Sequence, residues 1–201
     1  MSNHEDDTTP ARRGGTVGRW LADARRVDQA VYSAIARTPT PALDMGMSRL
    51  SRAADKSGIW IATAGLLTVF GGRPGRRAAA QGLVCVAVSS AVVNQGAKRL
   101  GRRARPDREG ARVPLDRQVG MPTSLSFPSG HSASAFAFAT GVGYRLPAVT
   151  VPLHGLAGAV AYSRVHTGVH FPGDVVVGSL LGTVTAQLTS RVMDRYLDAR
   201  D

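Results

Sequence analysis

Residues 146–190 read LPAVTVPLHGLAGAVAYS-RVHTGVHFPGD-VVVGSLLGTVTAQLTS. Two uncharged runs, 146–163 and 175–190, flank one short polar island. That alternation decides the fold class. A spanning helix needs about 20 predominantly apolar residues. Ionisable groups placed between such runs are costly and are kept for a reason. Working outward toward the N-terminus, residues 118–144, 78–97 and 57–72 are likewise free of Asp, Glu, Lys and Arg. The runs are rich in Gly, Ala and Ser, which lets membrane helices approach closely. The expectation is an all-α integral membrane helical bundle of about five spanning helices, multi-pass in a bacterial plasma membrane.

Upstream of these runs the character changes. Residues 1–16 contain MSNHEDDTTPARRGG, which lacks apolar periodicity and reads as a disordered tail rather than a signal peptide. Over residues 17–56, apolar side chains recur at helical spacing, as Leu21, Ala24, Val27, Val31 and Ile35, then Leu43, Met47 and Leu50. The Thr38-Pro39-Thr40-Pro41 stretch interrupts them, so two amphipathic helices are expected around a proline break. The remaining residues, 57–195, form the expected membrane domain. Trp20 and Trp60 are candidate interface anchors.

Bulk composition alone points elsewhere. The chain has 201 residues and a formal net charge of +11. Its mean hydropathy is −0.06 and its isoelectric point about 11.2. Those values suit a small basic nucleic-acid-binding globule. The charges, however, are concentrated in the N-terminal region and one arginine-rich loop and otherwise fall between the silent runs, and a nucleic-acid partner explains neither those runs nor the islands between them. A single cysteine, Cys85, excludes a disulfide framework and multi-cysteine metal sites.

Three polar islands separate the runs. The first spans Lys98 to Arg105-Pro106, the second is Pro128-Ser129-Gly130-His131, and the third runs from Ser163-Arg164 through His170 to Asp174. If the runs cross a bilayer in alternation, all three islands meet at one face. Their chemistry suits a phosphoryl group. Lys98, Arg105 and Arg164 supply cations, and a guanidinium fork matches phosphate oxygens. Ser129 can cap the helix that follows, Gly130 allows close approach, and the free N–H groups point at an anion. His131 and His170 suit a general acid and a nucleophile in a double displacement at phosphorus. Asp174, four residues after His170, can accept its other ring N–H. No carboxylate cluster is available for Mg²⁺ or Ca²⁺, so neither a metal nor another cofactor is expected. His166, at a non-motif position, His154 and His4 are read as structural. Arg99, Arg102, Arg103, Arg108, Arg112 and Arg117 are read as a solvated loop meeting lipid headgroups.

At these positions the sequence resembles the type 2 phosphatidic acid phosphatase superfamily, which also holds vanadium haloperoxidases and glucose-6-phosphatase. The family pattern K-x6-RP, PSGH and SR-x5-H-x3-D is matched at every fixed position, over roughly residues 45–190. The resemblance implies a metal-independent helical-bundle phosphatase. It implies His170 as the nucleophile forming a phosphohistidine, oriented by Asp174, and His131 as the proton donor to the leaving oxygen. Lys98, Arg105, Arg164, Ser129 and the Gly130 backbone would hold the phosphoryl oxygens. A site at membrane level favours a lipid phosphate or pyrophosphate substrate: phosphatidic acid, phosphatidylglycerol phosphate, or, with a slight lean, a polyprenyl carrier such as undecaprenyl pyrophosphate or decaprenylphosphoryl phosphoribose. The competing readings are a vanadate-dependent haloperoxidase-like enzyme and a non-enzymatic basic nucleic-acid- or membrane-binding protein. Basic residues divide nearly evenly between the two expected faces, so the charge rule leaves orientation open.

Overall fold

A computed structural model describes residues 15–97 and 103–198. Among them the chain is all-helical, with no strand. Two helices, α1 (Thr16–Arg37) and α2 (Pro41–Ala53), meet at the expected proline break. Pro41 opens α2, where its missing N–H costs nothing. One 3-10 turn, Asp55–Ser57, leads into α3 (Gly58–Phe70). Helix α4 (Gly72–Ala91) continues as a π-helical stretch, Val92–Ala97. After a long loop come α5 (Gly130–Arg145), α6 (Thr150–His166) and α7 (Pro172–Asp198).

Only the second half of the 118–144 run is helical. Its first half is loop, because Pro122 and Pro128 remove backbone donors and Thr123, Ser124 and Ser126 favour turns. Ser129 then starts α5, its Oγ accepting from the Ser132 N–H at 3.4 Å and from the Ser132 hydroxyl at 2.9 Å. Pro147 ends α5 by disfavouring helix at Leu146.

Helix α5 is the axis of the bundle and packs on α4, α6 and α7. It is lined with alanine, glycine and serine, so its neighbours come close. On α7, Gly178 and Gly182 face the Ser129 and Ala133 carbonyls of α5, and a methyl group at either glycine would collide with them. The main core joins Trp60, Phe138, Val142 and Val160 with several alanines. The Trp60 and Phe138 rings lie 5.3 Å apart. Trp60 is thus a core residue, not the interface anchor its sequence context suggested; Trp20 is exposed on α1.

Two helical stretches, Gly72–Gly96 and Pro172–Tyr196, are long and apolar enough to cross a membrane by length and composition. The other three expected spans have 13, 16 and 17 residues. At 1.5 Å per residue they reach about 20–26 Å, short of a hydrocarbon core of about 30 Å. Along α7, Val176, Leu180, Val184, Leu188 and Val192 form an exposed stripe at four-residue spacing. At the far end of the bundle from the polar islands, Gln81, Arg145 and Asp194 tie α4, α5 and α7 together. Arg145 Nε donates to Gln81 at 2.5 Å and the Tyr144 hydroxyl to Asp194 at 2.7 Å, while Arg145 also pairs with Asp194.

Candidate active site

The second and third islands and Arg105 do meet, at the end of the bundle where α5 and α7 begin and α6 ends. Lys98 lies outside the described residues. Gly168, with φ +73°, ends the turn after α6 and folds the chain back. The His170 N–H then donates to the Arg164 carbonyl at 3.1 Å. A side chain at Gly168 would press on Arg108 and Tyr32. Pro172 starts α7 and leaves Asp174 in its first turn, where a carboxylate faces the positive end of the helix dipole.

His170 is 2 % exposed and sits between an acid and a base. Its Nδ1 lies 3.4 Å from Asp174 Oδ2, and its Nε2 lies 3.3 Å from Arg105 Nη1. Arginine can only donate, so Nε2 is the acceptor and Nδ1 carries the proton toward Asp174. The lone pair of Nε2 therefore faces the cationic side. Arg105 is itself fixed by the Val169 and Ser124 carbonyls, each at 2.8 Å. Burial, with the Arg105 and Arg164 charges adding to it, pushes the His170 imidazole down to about 4 against the opposing pull of Asp174. The ring is thus neutral at physiological pH.

Asp174 is fully buried and fully partnered. Its Oδ2 also accepts from the Ser126 hydroxyl and from the Phe171 N–H, the latter at 3.0 Å, and its Oδ1 accepts from Arg103 at 3.0 Å. Its carbonyl accepts from Ser129 N–H at 2.9 Å, which couples the third island to the second. Ser129 is turned inward to cap α5, leaving Gly130 half-buried at the helix start. Arg164, 1 % exposed, donates from Nη1 to the Ser51 hydroxyl at 2.7 Å and carbonyl at 3.1 Å. Its Nε is buried and unpartnered, a donor in reserve for an anion. His131 Nε2 lies 2.9 Å from Asp55 Oδ1, and the same oxygen lies 3.5 Å from Arg164 Nη1.

The arginine loop departs from its expectation as a solvated face. Arg103 bridges Asp174 and Asp28 of α1, the latter at 2.5 Å, with its guanidinium 3.8 Å from the Phe171 ring centroid. Arg117 is fully buried, donating to Asp44 at 2.8 Å and to the α1–α2 link. Arg108 donates to the Val119 and Gly168 carbonyls. Arg112 is exposed, as expected, while Arg99 and Arg102 lie outside the described residues. An arginine in a loop enters the protein only where carbonyls or carboxylates await it, and those partners come from helices distant in sequence. His166 turns away from the site, its Nε2 3.0 Å from Asp44. His154 is held within the bundle by Thr150 and Thr140; His4 lies outside the described residues. Among the described residues, members of this network that were not anticipated include Asp28, Asp44, Asp55, Ser51, Ser124 and Ser126. Nothing in the sequence separates the three acids from Asp23, which stays exposed on α1 beside Arg26.

The PAP2 superfamily profile matches residues 79–198. The chain belongs to the PAP2 superfamily. Among relatives of this PAP2 protein is the decaprenylphosphoryl-5-phosphoribose phosphatase of Mycolicibacterium smegmatis, 34 % identical over 166 residues, 79 % of this chain and 84 % of that one. The protein of the same name from Mycobacterium tuberculosis is 40 % identical over 99 residues, 47 % of this chain, and that match spans only 50 % of its length. Two solved structures share the fold. LpxE of Aquifex aeolicus superposes with a TM-score of 0.64 at 23 % identity, covering 82 % of this chain and 95 % of that one. The transmembrane PAP2 type phosphatidylglycerolphosphate phosphatase of Bacillus subtilis gives 0.64 at 24 %, covering 86 % and 87 %.

Proposed function

We propose that this PAP2 protein is a multi-pass membrane phosphatase that hydrolyses a phosphate monoester on a polyprenyl-linked lipid, of the decaprenylphosphoryl phosphoribose type. The observation that carries the reading is the orientation of His170, held neutral with its Nε2 lone pair toward Arg105 and its Nδ1 toward Asp174. That is the state a nucleophilic imidazole needs. The names of the curated relatives support the substrate class.

In the proposed reaction, Nε2 of His170 attacks phosphorus and the bond to the ester oxygen breaks. His131 gives its proton to that leaving oxygen. Arg105, Arg164 and Lys98, with the N–H groups at the start of α5, hold the phosphoryl oxygens as charge spreads over them. Water then attacks the phosphohistidine, losing a proton to His131 as the P–N bond breaks and phosphate departs. The Asp174 carboxylate balances the positive charge that builds on His170 in the first step and is lost in the second.

Two observations support a lipid substrate. The exposed aliphatic stripe of α7 suits contact with acyl chains, as a soluble protein seldom exposes so long an apolar row. A largely apolar groove of about 1110 Å³ runs between α1 and the start of α7, lined by Trp20, Leu21, Val27, Val31 and Phe171, and it reaches Arg103 and Arg105. An apolar chain lying there has its phosphate end beside His170. In this reading the bundle sits in the bilayer with α4 and α7 as its full-length spans, the three shorter helices packed beside them, and the site at one face.

The test is phosphate release by the purified full chain in detergent from a panel of lipid phosphates, with EDTA present. Expected are activity in EDTA, strongest on prenyl-linked sugar phosphates, inhibition by vanadate, and at least ~10³-fold loss in His170→Ala. Full activity in that variant overturns the mechanism. No release from any lipid phosphate overturns the substrate class.

A further inference from the structure

Asp55 stands outside all three motifs, yet it is the acid that meets His131. It opens the 3-10 turn between α2 and α3. The two residues after it, Lys56 and Ser57, both have positive φ, 52° and 61°. That conformation is costly for side chains with a Cβ, and two in succession without glycine mark a backbone held against its preference. The consequence of the bend is that the Asp55 carboxylate comes to within 2.9 Å of His131 Nε2. Among the described residues, the charged or titratable groups facing His131 are Asp55 from this turn, Arg164 from α6 and His170 from the α6–α7 loop. Two of the three are bases, so Asp55 is the one group there able to accept a ring N–H as an anion.

The pair is a second carboxylate–imidazole contact beside that of Asp174 with His170, but made at the opposite ring nitrogen, Nε2 instead of Nδ1. A carboxylate on one ring nitrogen fixes the tautomer and decides which nitrogen is left for the reaction. We propose that Asp55 is the positioning residue of the general acid: it accepts the Nε2–H of His131 and leaves Nδ1 for the leaving oxygen. This inference rests on the phosphatase reading above. In the first step the Nδ1 proton of the imidazolium passes to the ester oxygen as its bond to phosphorus breaks. His131 is left neutral with its Nε2–H on Asp55. In the second step Nδ1 takes a proton from the attacking water. The weaker approach of Asp55 to Arg164, at 3.5 Å, keeps that guanidinium aimed without claiming its buried Nε.

The experiment compares the full-length wild type, Asp55→Asn and Asp55→Glu in detergent on two substrates. One is an alkyl lipid monophosphate, whose leaving oxygen needs a proton. The other is p-nitrophenyl phosphate, whose leaving oxygen does not. For Asp55→Asn, kcat on the alkyl substrate is expected to fall about 10- to 100-fold, and on the aryl substrate only a few-fold. The basic limb of the alkyl pH profile should move to lower pH, KM should change little, and Asp55→Glu should recover much of the loss. An equal fall on both substrates, a change confined to KM, or no change overturns the proposal. A second measurement needs neither activity nor a folded variant. Nitrogen-15 spectra of wild-type His131 in its neutral form should show the Nε2–H tautomer; the Nδ1–H tautomer overturns the pairing. If wild type hydrolyses neither substrate, it is the phosphatase reading that fails, and the tautomer still decides the Asp55–His131 pair.

Discussion

At the scale of single residues, the site works through the environments of its side chains more than through their identities. His170 illustrates this. Its pKa, lowered to about 4 from the ordinary 6.5, keeps the lone pair available well into acid. The acid limb of kcat/KM due to His170 is therefore expected near pH 4, not 6.5; a limb that stays at 6.5 in wild type would show that the folded site does not hold the imidazole neutral. Stability follows the same group with a definite sign. The unfolded chain takes up a proton near 6.5 and the folded one only near 4, so folding loses stability as pH falls through that window. The thermal midpoint of wild type should drop between pH 6.5 and 4.5, and less steeply in His170→Asn. Arg103 makes the complementary point. Its pairing with Asp174 and its contact with Phe171 predict that Arg103→Ala lowers kcat by about 10-fold with little change in KM, because it orients a partner of the nucleophile and not the substrate. In sequence, Arg103 was one of many loop arginines, whereas His131, His170 and Asp174 were legible from motif spacing. What spacing could not carry was the identity of partners such as Asp28 and Asp55, which reach the site only because α1 and the strained turn fold over it.

Among the helices, positions and periods were largely readable, and the exceptions have local causes. The proline break between α1 and α2, the end of α6 before Gly168 and the start of α7 at Pro172 follow from Pro and Gly. The half-helical 118–144 run does not show in charge counts, since prolines and serines are as uncharged as a spanning helix. Small residues decide how close α5 and α7 approach. Gly182→Leu forces a branched side chain onto the Ala133 carbonyl, so loss of stable expression in detergent is expected. Asp194→Asn is the contrasting case. It weakens the Arg145 and Tyr144 contacts at the end of the bundle away from the site. With these side chains about 30 % exposed, a cost of about 1 kcal/mol is expected, seen as a lower thermal midpoint with kcat unchanged. A fall in kcat there would mean that the two ends of the bundle communicate.

Taken as a whole molecule, the bulk charge of +11 misdescribes the protein, because among the described residues most basic side chains are exposed and only a few enter the interior or the site. Arg117 and Arg164 are interior, and Arg103 and Arg105 line the groove mouth. The amphipathic α1 packs on the domain by one face and leaves apolar side chains exposed along another. Tyr32 and Ala36 are buried against the arginine loop, Asp28 holds Arg103 and the Gly173 N–H, and Trp20, Leu21 and Val27 stay exposed along the groove. A chain lying in that groove is bound along its length, but only its phosphate end reaches His170. Filling the groove should therefore separate chain recognition from chemistry. Ala24→Trp is expected to raise KM for a long prenyl phosphate about 10-fold, close to the cost of one lost hydrophobic contact of about 1.4 kcal/mol, while kcat/KM for a short-chain phosphate stays within about two-fold of wild type. The comparison is made in mixed micelles at fixed surface concentration, so that a change in membrane partition is not read as a change in KM. Equal effects on both substrates would show that α1 supports the fold or the catalytic arginines and not the chain, and would place the lipid tail on the exposed stripe of α7 instead.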